Sequence, residues 1–279
     1  MIQYVEEYFQ PKPMDDLLSF IKKIASVKGL DFRRCQQDKL KDALEERMND
    51  LNIHSYEAYL TILEKFPAEY NRLFEALGLS SAEFFRDPQI WVTIQYLLES
   101  LIRAKQSAND KSIRIWSAGC GTAEEPFSVS ILLQEILDKK IDSFNIEIIG
   151  TDINEDCIKF TRKPAYAPAQ LKNISKPLLV KYFSLKNQLF EPKDPVRKMV
   201  EFKLLDLTSD DIIKDIDLII CRNVFLYFDK KIQKILLHKF HRSLRPHGYL
   251  LLGKVEISVE EETHAFKEID SNARIYQRI

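Results

Sequence analysis

Two kinds of hydrophobic pattern divide the chain. Up to about residue 100 the apolar positions recur at helical spacing. Leu40, Leu44, Met48 and Leu51 form one stripe, Tyr56, Tyr59, Leu60 and Leu63 a second, and Tyr70, Leu73, Phe74 and Leu77 a third. Gly29 and Gly78 stand where helices would end. Ala104–Ser112, polar and built of small or charged residues, reads as a linker, so the sequence places a helical N-terminal domain at 1–103 and a second domain at 104–279.

Beyond Ser112 short apolar runs alternate with helical stretches. Strands are expected at Ile113–Trp116, Ile146–Thr151, Val200–Leu204, Ile216–Cys221 and Tyr249–Leu252, with helices at Phe127–Leu137 and Lys230–Leu244. Ile216–Cys221 is apolar enough for a strand buried on both faces. Phe266–Ile269 and Ala273–Arg278, flanking Asp270-Ser271-Asn272, read as a closing hairpin. This order predicts an α/β fold with a doubly wound, Rossmann-like sheet.

Composition narrows the class. Lys plus Arg number 41 against 42 for Asp plus Glu, so no global basic footprint points to nucleic acid. Cys35, Cys120, Cys157 and Cys221 are far apart and form no C-x-x-C pair, which argues against a disulfide framework or a structural zinc site. The beginning MIQYVEEYFQPKP is acidic and polar, unlike a secretion signal, and no apolar run reaches the ~18–20 residues of a membrane span. A cytoplasmic protein is expected. His238 and His241 are three apart on a helix with no third ligand nearby, so no metal site is assigned.

The chemistry concentrates where strands end. Ser117–Ser128, SAGCGTAEEPFS, follows the first strand and contains neither a P-loop nor a full G-x-G-x-x-G. Glu124 and Glu125 open the next helix, where two anions would repel a pyrophosphate but tolerate a cationic ligand; acidic residues in a first turn also simply suit the helix dipole. Asp152, in IIGTDIN, sits where a carboxylate accepts ribose hydroxyls or caps the next helix. CRNVFLYFD brings Arg222, Asn223 and Tyr227 to the same expected edge, and lacks the Asn/Asp-Pro-Pro-aromatic run common in nucleobase methyltransferases.

Together these segments resemble the chemotaxis receptor methyltransferase (CheR) family, which uses S-adenosylmethionine (SAM) to esterify glutamates on chemoreceptor helices. The similarity runs through AEFFRDPQIW, RIWSAGCGTAEEPFSVSI, GTDIN, EFKLLDL, IDLIICRNVFLYFD and LRPHGYLLLG in family order and spans nearly the whole chain. The resemblance implies a SAM pocket containing Gly119, with Arg86 near the reacting end, Glu125 at the methionyl portion and Asp152 at the ribose. It puts Asp206 and Leu207 around the adenine, Arg222 and Asn223 along the wall, and Tyr227 beside the transferring methyl. Arg86 and Tyr227 would be the catalytic pair. It further implies a small antiparallel subdomain, matched to 182–205 with Pro192 and Pro195 as its turn.

Several positions depart from the family pattern. Ser80 and Ala82 stand where an Asn and a Thr often help bind SAM, LGKVE replaces L-G-H-S-E, and Ala123 replaces the glycine of T-G-E-E-P. A positive φ at Ala123 would cost roughly 1–2 kcal/mol. These changes motivate a rival reading, a SAM-binding regulator with weak or no transferase activity; a small-molecule or nucleic-acid methyltransferase on the same fold is a second. The implied partner is a chemoreceptor cytoplasmic helix or another acidic helical protein, without nucleic acid or membrane insertion. Arg33, Arg34, Lys39, Lys41 and Arg47 could form a basic docking face, diluted by Asp38, Asp42, Glu45 and Glu46.

Overall fold

The computed structural model describes residues 17, 19–21, 23–24, 37–66, 69, 72–73, 83–225, 228, 230–253 and 265–279. The chain divides into two units, residues 1–81 and 82–279. This differs from the boundary expected at 103, and the reason is a continuous helix, Pro88–Ser107, that runs through that position. Lys105 in the supposed linker is buried, its ammonium 2.7 Å from Asp217 and 2.8 Å from Asp110. A polar stretch was a helix end anchored to the sheet.

In the first unit α1 (Gln37–Asp50) and α2 (Tyr56–Lys65) bury Leu44, Met48, Tyr59 and Leu63, positions from the first two helical stripes. Ser55 caps α2, accepting the Ala58 N–H at 3.2 Å. Arg47 grips Glu69 through two hydrogen bonds of 2.7 and 2.9 Å, and the Tyr59 hydroxyl donates to the same carboxylate. Of the third stripe only Leu73 is described, and it is buried. Gly29 and Gly78 lie outside the described residues.

The second unit is built on a seven-stranded sheet. Its strands are β1 (Ser112–Ala118), β2 (Asn145–Asp152), β5 (Val200–Leu204), β6 (Ile216–Cys221), β7 (Leu244–Leu252), β8 (Phe266–Asp270) and β9 (Ile275–Arg278), in the spatial order β5-β2-β1-β6-β7-β9-β8. The first five are parallel; β9 and β8 close the far edge as an antiparallel pair. Alternation along each strand loads both faces. Ile113, Ile115, Ile148, Leu218, Ile220 and Leu251 pack under α3 (Pro88–Ser107) and α4 (Glu124–Leu137). Trp116, Ala118, Ile149, Ile219, Cys221, Leu250 and Leu252 face α8 (Lys230–Ser243). Chain order reverses direction between β1 and β6, so the switch-point crevice opens at their carboxyl ends.

The shorter helices are α5 (Glu155–Phe160), α6 (Lys176–Tyr182) and α7 (Asp194–Arg197). The small subdomain is a single hairpin of β3 (Phe183–Lys186) and β4 (Leu189–Pro192), narrower than the expected 182–205. Its turn is Asn187-Gln188, both at positive φ (49° and 64°), as a two-residue hairpin loop demands. Pro192 ends β4 and Pro195 lies in the first turn of α7, where a fixed φ and missing N–H are tolerated. Val200–Leu204 pairs in parallel with β2 and belongs to the main sheet.

Candidate functional site

Everything at the crevice hangs on the loop after β1. Gly119 and Gly121 have φ of 77° and 52°. At Gly119 a Cβ would lie 2.5 Å from Val224 Cγ2, so only glycine lets β1 and the segment after β6 approach this closely. The loop's backbone donors are committed internally: Gly119 and Cys120 N–H to the Thr151 carbonyl at 2.8 and 2.9 Å, and Gly121 N–H to Asp152 Oδ2 at 2.8 Å. A phosphate cradle needs such groups pointed outward. Here they brace β2.

Asp152 ends β2 with its other oxygen accepting the Asn154 N–H at 2.9 Å, while Asn154 itself caps α5. Burial raises the Asp152 pKa, against the pull of those backbone donors. Leu205 N–H donates to the Asp152 carbonyl at 3.0 Å, which sets Asp206 beside this edge. Asp206 is exposed, and its carboxylate accepts the Thr208 N–H and hydroxyl at 2.8 and 2.7 Å. Leu207 is buried against Trp116 and Phe240, so its side chain is core. Its carbonyl, with that of Ser209, accepts from the buried Lys239 ammonium at 3.0 Å each.

The two glutamates of α4 face different surroundings. Glu124 is fully buried and accepts from the Thr122 hydroxyl at 2.7 and 2.9 Å and from Gln170 Nε2 at 2.7 Å; burial pushes its pKa up to about 7. It braces the loop. Glu125 is partly exposed and accepts from the Ser117 hydroxyl at 2.7 Å. Burial raises its pKa, opposed by the charges of Arg222 and Arg86 and by the Ser117 bond.

Arg222, buried at the end of β6, bridges to the segment before α3. Its Nη1 donates to the Arg86 carbonyl at 3.2 Å, which also accepts from Trp91 Nε1 at 2.9 Å, and its Nη2 bonds the Asp87 carboxylate. Arg222 Nε is buried with no hydrogen-bond partner among the described residues. Phe85, Asp87 and Asn223 all sit at positive φ (51°, 58° and 61°), strain concentrated at one crevice. Phe84 and Phe85 are packing residues: Phe84 lies edge-on to Tyr166 and Phe183, and Phe85 edge-on to Trp91.

The structure thus brings Gly119, Glu125 and Asp152 to the crevice with Arg86, Arg222 and Asn223. Ser80, Ala82 and Tyr227 lie outside the described residues. His238 is exposed and His241 packs edge-on against Phe266; no cluster that could hold a metal exists among the described residues. Sequence reasoning missed Asp87, Lys239, Ser117 and Gln170. For Lys239 the signal existed, since Ile232, Leu236, Lys239 and Ser243 share one helical stripe.

These side chains fit SAM. Glu125 offers an anion for an ammonium or sulfonium, Asp152 an acceptor for a ribose, and the glycine loop spends its N–H groups where a phosphate would need them. A doubly wound sheet with this crevice defines a SAM-dependent methyltransferase. The chain belongs to the CheR methyltransferase family: the model of its SAM-binding domain matches residues 80–275, and that of its all-alpha domain matches residues 15–77. It is 30% identical to a chemotaxis protein methyltransferase of Borreliella burgdorferi, covering 87% of this chain and 88% of that protein. It is 29% identical to chemotaxis protein methyltransferase 2 of Pseudomonas aeruginosa, covering 87% and 86%. A probable biofilm formation methyltransferase, WspC, from the same bacterium is 26% identical over 86% of this chain and 56% of its own length. Among the described residues no helix is long and apolar enough to cross a membrane.

Proposed function

We propose that this methyltransferase esterifies glutamate side chains on the cytoplasmic helices of chemoreceptors and itself works in the cytoplasm. The observation that carries the reading is the crevice at β1 and β6, anionic at Glu125 and Asp152 and cationic at Arg86 and Arg222. The carboxylates suit a positively charged cofactor, and the Arg86 guanidinium near Glu125 suits a carboxylate. The relatives named as chemotaxis methyltransferases support the substrate class.

SAM supplies an electrophilic methyl on a positively charged sulfur; the acceptor oxygen gains the methyl and S-adenosylhomocysteine leaves with the electron pair. A glutamate with an ordinary pKa of about 4.3 is ionised at neutral pH and needs no general base. The chain's residues therefore align and desolvate. Glu125 would hold the methionyl ammonium and Asp152 the ribose, with Asp206 and the Leu207 backbone bordering the adenine. Gly119, Arg222 and Asn223 shape the wall. Arg86 would orient the acceptor or the methionyl carboxylate with its planar donor fork, and the family resemblance gives Tyr227 the role of supporting the transferring methyl. Ser80 and Ala82 stand at positions that the family resemblance gives to SAM binding.

The test is incubation with methyl-labelled SAM and purified chemoreceptor cytoplasmic fragments. Label released as methanol by mild alkali is expected; alkali-stable label would indicate an amine product and overturn the reading.

A further inference from the structure

Helix α8 gathers positive charge unlike any other described helix. Its sequence KKIQKILLHKFHRS has no Asp or Glu in 14 residues. Lys230, Lys234, His238 and Arg242 occupy successive i,i+4 positions, and all are exposed together with Lys231 and Ile235. At about 100° per residue these side chains share one arc of roughly 140°. Leu236, Leu237 and Phe240 lie on the opposite, core-facing side.

On three other helices an exposed cation is matched from its own helix: Lys41 by Glu45, Arg103 by Glu99 and Lys159 by Glu155. None of Lys230, Lys231, Lys234 and Arg242 pairs with a carboxylate among the described residues. Lys230 and Lys234 are like charges at i,i+4, with Lys231 beside them, an arrangement that destabilises a helix until something anionic meets it. Of the N-terminal face expected from the sequence, the side chains of two cations are described. Lys41 is matched within α1 and Arg47 is held by Glu69 and Asp50, while Arg33, Arg34 and the Lys39 side chain lie outside what is described.

The row begins beside the crevice. Gln233 Nε2 donates to the Phe225 carbonyl at 2.8 Å, tying the first turn of α8 to the chain three residues after Arg222. One flank is bounded by Asp206, Asp210 and Asp211, whose charges act on Lys239.

We propose that the exposed face of α8 docks the acidic helical segment that carries the target glutamate, an inference that rests on the protein-glutamate reading above. Carboxylates at i,i+4 spacing on a partner helix match cations at the same spacing here. A bilayer is disfavoured because Ile235 is the face's one exposed apolar side chain, too little to insert. Nucleic acid is disfavoured by the aspartates along the flank.

The test titrates the full chain into a fluorescein-labelled synthetic helical peptide with Glu at every fourth position, read by anisotropy at low salt. The variant Lys231→Glu/Lys234→Glu/Arg242→Glu should bind the peptide about tenfold or more weakly, and should lose the salt dependence of the parent. Its affinity for S-adenosylhomocysteine, measured by calorimetry, should stay unchanged and serves as the check on folding. The neutral variant Lys234→Gln/Arg242→Gln should fall between the two. Unchanged peptide affinity in the charge-reversed variant overturns the proposal, as does tighter binding of phosphatidylglycerol vesicles than of the peptide. Peptide binding is read without turnover, so failure of this surface and failure of glutamate esterification are separable.

Discussion

Asp87 and Arg222, 135 positions apart, form an ion pair that ties the segment before α3 to the end of β6. Asp87 stands at the N-cap of α3 with φ 58° and ψ 72° and makes no capping bond to the helix. Its carboxylate is given to Arg222, whose guanidinium in turn holds the Arg86 carbonyl. Arg86 is thus placed by a contact that its own sequence neighbourhood does not reveal.

Asp87→Asn keeps a residue that tolerates the left-handed conformation but removes the charge. Because the Asp87 side chain is 37% exposed, the loss of stability should be modest, about 1 kcal/mol. Turnover should drop by more, roughly tenfold or beyond, because misplacing a positioned group by a fraction of an ångström is costly. A steady-state comparison with a denaturation curve checks this: the expected result is a fall in kcat at nearly constant stability and cofactor affinity.

Ala123 adopts φ 78° and ψ 10°, a left-handed conformation that favours glycine, while fully buried. The left-handed backbone costs roughly 1–2 kcal/mol. Against that, the buried methyl contributes about 0.8 kcal/mol, and a glycine would loosen the unfolded chain by about 0.5–1 kcal/mol. These terms nearly cancel, so Ala123→Gly should shift stability by less than about 1 kcal/mol. Ala123→Val, β-branched in a left-handed site, should lose at least ~2 kcal/mol. Urea midpoints for the pair test both. The retained backbone also weighs against reading Ala123 as the mark of a lost activity.

Glu124 gives a pH dependence. Its carboxyl moves from an ordinary 4.5 to about 7 in the folded chain, because burial disfavours the anion. The folded state therefore holds its proton longer than the unfolded state. The resulting stability is complete below about 4.5 and declines as pH rises through about 7, by up to roughly 3 kcal/mol. Glu124→Gln keeps an acceptor for Gln170 and has nothing to titrate. Denaturation at pH 5 and pH 8 should show the parent losing stability relative to this variant; parallel pH profiles would contradict the assignment.

Much of this was legible in the sequence. Ile216–Cys221 announced a central strand, and the order of strands and helices put Ser117–Ser128, Asp152 and Arg222 at one edge. What escaped was whatever depends on distant partners. Nothing local distinguishes Glu124, which braces a loop, from Glu125, which faces the crevice; the difference comes from Gln170 and Thr122 on one side and Ser117 on the other. The hairpin turn was misplaced because Pro192 and Pro195 are louder signals than Asn187-Gln188, whose turn is set by backbone conformation. The domain boundary slipped because Lys105, charged and seemingly exposed, is held by Asp217, a partner on a strand far along the chain.

Calorimetry of the cofactor site tests the central claim most directly. S-adenosylhomocysteine should bind the parent chain, and Glu125→Gln and Asp152→Ala should each weaken it about tenfold or more, the loss of a charge-assisted hydrogen bond or two. ATP, whose phosphates meet carboxylates and committed backbone donors here, should give no heat. Unchanged affinity in both variants, or ATP bound as tightly as S-adenosylhomocysteine, would contradict the account.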